Sequence, residues 1–175
     1  GVGSGFDIAA ATYGETLEYV MGGKVIEPLH IKSLPLVVGY SGLKADTPFY
    51  IRRVAEAFKS KKAEMEKIFM SIQTLVESAK KGLQIGDLPE VGKCMNENQK
   101  LLVQLGVSTP KLDDMIESAI NAGAYGAKLS GAGGGDCMIA LVDEAKRQSV
   151  EKSIKQVGGE IIRVNVNTVG VTIES

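Results

Sequence analysis

Gly126-Ala-Lys-Leu-Ser-Gly-Ala-Gly-Gly-Gly-Asp-Cys-Met-Ile-Ala-Leu-Val142 is the stretch on which the fold turns. Two short apolar segments, 126–129 and 137–142, flank a run too rich in glycine to prolong either, so they read as two strands joined by a loop. Downstream the sequence predicts a helix over about 143–157 and strands over 160–166 and 169–174. In the last of these Val171 and Ile173 alternate with Thr172 and Glu174, which predicts one face turned inward and one in solvent. Strand, strand, helix, strand, strand is not the alternation of a doubly wound sheet. It predicts an α+β fold, an antiparallel sheet backed by helices.

Upstream of the glycine run, four helices are legible. One begins at Pro48, whose missing N–H costs nothing in a first turn, with Asp46 or Thr47 placed to cap it. The next carries Ile68, Phe69, Ile72, Leu75, Val76, Ala79 and Leu83 at a period near 3.6 and buries one face. Asp87-Leu88-Pro89-Glu90 starts the third, which reaches Gly106. Thr109-Pro110 caps the fourth, where Leu112, Met115, Ile116, Ala119 and Ile120 form a stripe. Before them the apolar run 34–40 reads as a buried strand, and 15–21 and 24–31 as the arms of a hairpin turning at Gly22-Gly23. A short helical stretch, 8–13, follows Asp7. The hairpin region up to residue 31 is separable from the rest and could belong to an upstream domain.

Composition narrows the function classes. The net charge of −1 with dispersed lysines supplies no field for nucleic acid or anionic lipid. No apolar run approaches the roughly 20 residues of a membrane span, and the opening residues lack a signal-peptide pattern, so a cytoplasmic protein is expected. Cys94 and Cys137 have no metal-ligand spacing and read as reduced core residues. His30, the only histidine, reads as a strand or strand-edge residue, which argues against a His-based metal site or triad. The chain opens without methionine on the loop-like Gly1-Val2-Gly3-Ser4-Gly5-Phe6-Asp7, and a longer native protein is expected.

Five groups of residues suggest chemistry, each with a plainer structural reading beside it. Glycines let a backbone curl so that successive N–H groups converge on one anion, which makes Gly131, Ala132, Gly133, Gly134 and Gly135 a candidate phosphate cradle; the alternative is a mobile strand connection. It is neither a Walker loop, since no Lys-Ser/Thr follows, nor a dinucleotide fingerprint, since it opens no helix. Asp7, at the mouth of a helix, is a candidate general base or else an N-cap. Lys44 and Thr47, in a strand-to-helix loop, could meet an anionic substrate or be a solvated lysine and a cap. Lys128 could assist phosphate charge or point outward. Asn96 and Asn98 could serve only interhelical hydrogen bonds.

Taken in order, four segments resemble the GHMP kinase superfamily and, within it, the mevalonate kinase branch. They are Ser4-Gly5-Phe6-Asp7 with Thr12-Tyr13-Gly14; Leu34-Pro35-Leu36-Val37-Val38-Gly39-Tyr40-Ser41-Gly42 with Asp46-Thr47; Met95-Asn96-Glu97-Asn98 with the run 105–112; and the run 123–135 ending in the glycine loop. The resemblance covers nearly the whole chain. It implies a ferredoxin-like antiparallel sheet with additional helices, residues 32–175 being a C-terminal kinase domain and residues 1–31 a helix and hairpin remaining from the N-terminal domain.

The activity so implied is ATP- and Mg²⁺-dependent phosphorylation of mevalonate, with phosphomevalonate as the next candidate substrate. Asp7 falls on the family's catalytic aspartate. Ser4, Gly5, Thr47, Ser130 and Gly131 fall on substrate positions, and Gly131, Ala132, Gly133, Gly134 and Gly135 on the nucleotide-phosphate loop, with no metal ligand in this chain. The family's Gly-Leu-Gly-Ser-Ser loop, its Mg²⁺ ligands and its N-terminal lysine are absent, so the chain is expected to need a missing N-terminal segment for turnover. A homodimer is left open. The rival reading is a non-catalytic ferredoxin-like module that binds a metabolite or subunit, in which Asp7 is only a cap.

Overall fold

A computed structural model describes residues 4–31, 34–166 and 168–172. In chain order the elements are α1 (Phe6–Tyr13), β1 (Leu17–Val20), β2 (Val25–Pro28), β3 (Leu36–Tyr40), α2 (Thr47–Ser60), α3 (Lys62–Ile85), α4 (Leu88–Gln104), α5 (Pro110–Asn121), β4 (Gly126–Ser130), β5 (Cys137–Leu141), α6 (Arg147–Gln156) and β6 (Glu160–Ile162). β3 to β6 form an antiparallel sheet in the order β4-β5-β3-β6. With the first and third of its strands central, this is the split arrangement of a ferredoxin-like fold, and α2 to α5 fill the first crossover. β1 and β2 pair separately as a hairpin, tied to α3 by an ion pair between Lys80 Nζ and Glu18 Oε2 at 2.5 Å.

Alternation along the strands decides the core. Val37 of β3, Ala127 and Leu129 of β4, and Met138 and Ala140 of β5 all point to one face, where Leu112, Met115, Ile116 and Ala119 of α5 and Val150 and Ile154 of α6 meet them almost wholly buried. The helix starts follow the sequence. Asp46 accepts from Phe49 N–H at 3.0 Å, Asp87 from Glu90 N–H at 3.1 Å and Thr109 from Leu112 N–H at 3.3 Å. Asp46 is thus the cap of α2, and Thr47 is its first helical residue with its hydroxyl left over.

β4 is an edge strand, and an open edge is a template for unwanted pairing. Here α4 closes it with side-chain amides. Asn96 Oδ1 accepts from Ala127 N–H at 3.0 Å, Asn96 Nδ2 donates to Tyr125 O at 3.3 Å, and Gln99 Oε1 accepts from Leu129 N–H at 3.0 Å. The two backbones nearly touch, since a Cβ on Gly126 would lie 1.9 Å from Gly92 O. Asn96 therefore bonds a strand edge where an interhelical contact was expected, and Asn98 makes none of these bonds.

Three expectations need correction. The strand expected over 160–166 stops at Ile162. Continuing the register would pair Val164 with Leu36, whose carbonyl instead accepts from Arg147 Nη1 at 2.7 Å. The stretch expected as a closing strand is not in the sheet: Val169 bridges Gly14, Val171 N–H donates to Thr12 O at 3.2 Å, and Val171 is 76% exposed rather than inward. Ile173 and Glu174 lie outside the described residues. The helix expected from 143 opens as a 3-10 turn, Glu144–Lys146, before α6. His30 sits just past β2 at φ 48, exposed, with Nδ1 3.3 Å from Glu15. Cys94 and Cys137 are free, and no helix among the described residues is long and apolar enough to cross a membrane.

Candidate active site

The chain enters α1 through Gly5, which serves as N-cap in the left-handed region at φ 84. Tyr19, on β1, holds that turn by donating its hydroxyl to Ser4 O at 2.5 Å. Asp7 therefore stands in the first turn of α1 and not at its cap. Its carboxylate makes no hydrogen bond or ion pair among the described residues, which removes the plain capping explanation for an aspartate at this place. The positive end of the helix favours its negative charge.

Asp7 opens onto a cleft of about 770 Å³. Ser4, Thr47 and Asp136 line it with Asp7, the first two residues of the glycine loop, Gly131 and Ala132, form one wall, and Phe6, Met21 and Ile51 supply apolar surface. Residues from α1, the hairpin turn, the start of α2 and the β4–β5 loop thus meet in one place, although up to 132 positions separate Ser4 from Asp136 in a chain of 175. Among the described residues the lining holds two carboxylates, Asp7 and Asp136, and no lysine or arginine.

The five-residue cradle divides in two. Gly133, Gly134 and Gly135 are glycines for packing: a Cβ would lie 2.1 Å from Val107 O, 1.8 Å from Tyr50 Cε2 and 2.5 Å from Leu43 O respectively. Gly134 N–H donates to Val107 O at 2.8 Å and Asp136 N–H to Leu43 O at 2.7 Å, so neither amide is free for an anion. At Gly131 nothing lies within 4 Å of the Cβ position. The amides of Gly131, Ala132, Gly133 and Gly135 have no backbone acceptor among the described residues, and of these four only Gly131 and Ala132 line the cleft.

Other expected participants stand elsewhere. Gly5 and Ser130 are outside the lining; Gly5 shapes the turn, and Ser130 ends β4. Lys44 is exposed and outside it too. Lys128 is half-buried and donates from Nζ to Leu129 O at 2.7 Å; burial pushes its ammonium down to about 8. Among the described residues no group of three or more His, Cys, Asp or Glu gathers as a metal site. Sequence reasoning missed Asp136 as a member of the cleft. The available signal was an aspartate closing a glycine run, a residue type that tolerates positive φ.

Comparisons with known proteins bear on the family and the fold. Residues 76–160 match the family model for the C-terminal domain of GHMP kinases. The chain is 38% identical to a mevalonate kinase of Thermococcus gammatolerans over 99% of its own length and 53% of that protein, and 37% identical to one of Pyrococcus horikoshii over 99% and 52%. It thus spans about half the length of the curated relatives it matches. Among solved structures it is similar to L. major mevalonate kinase in complex with R-mevalonate, with a TM-score of 0.89, 30% identity and coverage of 98% of this chain and 55% of that one. Similarity in fold extends to Streptococcus pneumoniae phosphomevalonate kinase, at TM-score 0.70 and 23% identity over 79% of this chain and 41% of that one.

Proposed function

Given that the chain belongs to the GHMP kinase family, we propose that it is the C-terminal part of a mevalonate kinase, with residues 1–31 completing an N-terminal domain and residues 32–175 forming the C-terminal one. The observation that carries this reading is that Asp7, whose carboxylate makes no hydrogen bond or ion pair among the described residues, lines one cleft with Thr47 and with Gly131 and Ala132 of the glycine loop. Bound ATP supplies the phosphoryl group.

In this reading the acceptor hydroxyl lies against Asp7. The carboxylate takes the hydroxyl proton as the O–H bond breaks, the new O–P bond forms and the bond from the γ-phosphorus to the bridging oxygen breaks, ADP leaving with that electron pair. Thr47 Oγ hydrogen-bonds the acceptor and fixes its angle of approach. The Gly131 and Ala132 amides hold phosphate oxygens, and Phe6, Met21 and Ile51 exclude water, which strengthens these contacts. A non-catalytic module would leave Asp7 as a cap, which it is not.

The test is a phosphotransfer assay on the full-length protein containing this chain, with mevalonate and 5-phosphomevalonate side by side. Turnover of mevalonate is expected, and turnover of 5-phosphomevalonate alone would reject the substrate assignment. Asp7→Asn should lower kcat by about 10² or more with little change in unfolding midpoint, since the carboxylate makes no hydrogen bond or ion pair among the described residues. Undiminished turnover would reject Asp7 as the base.

A further inference from the structure

Asp136 closes the glycine loop at φ 52, a left-handed conformation that aspartate, asparagine and glycine adopt more readily than other residues. Three of its groups bond a single distant segment. Its N–H donates to Leu43 O at 2.7 Å, its carbonyl accepts from Ser41 N–H at 2.8 Å, and its carboxylate Oδ1 accepts from Ala45 N–H at 3.3 Å. That segment runs from β3 straight into α2. Ala45 is followed by Asp46, the cap, and Thr47, which lines the cleft. Gly131 and Ala132, the opposite wall, belong to the loop that Asp136 ends. Among the described residues the Asp136 carboxylate makes the one side-chain hydrogen bond joining these two walls.

We propose that Asp136 is a positioning residue for phosphoryl transfer, holding Thr47 at a set distance from Gly131 and Ala132 through Ala45 N–H and not by contact with the reactants. This rests on the kinase reading above. The two backbone bonds would survive any residue that keeps φ near 52, so the contribution specific to aspartate is the acceptor oxygen. Asparagine retains both the backbone preference and that acceptor while removing the charge. Glycine retains the backbone and removes the acceptor. The pair therefore separates a latch from a charged ligand.

The experiment compares wild-type, Asp136→Asn and Asp136→Gly in the full-length protein by steady-state kinetics with mevalonate and ATP and by hydrogen exchange at the Ala45 amide. Asp136→Asn should stay within about twofold of wild-type in both. Asp136→Gly should speed Ala45 exchange by about tenfold and raise the KM for mevalonate by about tenfold, with a smaller fall in kcat. If Asp136→Asn is as impaired in turnover as Asp136→Gly, the charge acts on the reactants and the latch is wrong. If Ala45 exchange is unchanged in Asp136→Gly, the latch is wrong whatever the kinetics show. The exchange measurement needs no turnover, so wild-type protein inactive on mevalonate with a protected, Asp136-dependent Ala45 amide would overturn the kinase reading while upholding the latch.

Discussion

Alanine at Gly134 and alanine at Gly131 should harm this protein in different ways. Both positions are left-handed, at φ 81 and 85, so each alanine carries a similar backbone cost of about 1–2 kcal/mol. They differ in what the new methyl meets. At 134 it would lie 1.8 Å from Tyr50 Cε2, where ordinary contact begins at 3.4 Å. Tyr50 is half-buried against the main core and edge-on to Phe49 at a centroid distance of 5.2 Å, so its ring yields only if α2 moves. Overpacking of this kind costs about 1–3 kcal/mol more. At 131 the methyl stands in open space at the wall of the cleft. In urea unfolding, Gly134→Ala should therefore be less stable than Gly131→Ala by about 1–3 kcal/mol. In kinetics the order should reverse for the nucleotide: on the kinase reading proposed above, Gly131→Ala should keep its fold but raise the KM for ATP, because the methyl would stand where a phosphate oxygen is proposed to bind. Equal stabilities would show that Tyr50 does not seal the loop. An unchanged KM in Gly131→Ala would show that its amide does not face phosphate.

Gln99→Leu should cost about 1–3 kcal/mol in urea unfolding, because it leaves Leu129 N–H without its acceptor and removes the donor to Ser108 and Asp113; a loss under about 0.5 kcal/mol would deny the edge-sealing role of α4. Lys128→Met should stabilise the fold at neutral pH, with a sign set by the lowered ammonium. Since its folded value is about 8 against 10.5 when exposed, the penalty is fully present below pH 8 and is lost as pH rises toward 10.5. Unfolding measured across that range should show the advantage of Lys128→Met shrinking. An advantage that grows with pH would refute burial as the cause.

The cores of the helices and their starts were legible because both depend on neighbours in sequence. The 3.6-residue stripe on α5 needs only its own residues, and Asp46, Asp87 and Thr109 cap amides three positions away. The end of the sheet was misread for the same reason reversed. Val169 and Val171 look like strand residues, but whether they join a sheet depends on a free edge, and theirs is the backbone of Thr12 and Gly14 beside α1, outside the sheet. Alternation reports what a strand would bury, not whether a ladder is open to it.

Locally, then, the residue order determined an α+β chain with a glycine loop between two strands and an aspartate at the mouth of a short helix. Only the packed molecule decided that Gly131 and Ala132 face the cleft while Gly133, Gly134 and Gly135 lie against Val107, Tyr50 and Leu43. It likewise decided that Asp7 caps nothing and that Asp136 joins the two walls. The reason is range: propensity, capping and periodicity act over a few residues, whereas the free amide, the unpaired carboxylate and the shared cavity are defined by atoms brought together across nearly the whole chain.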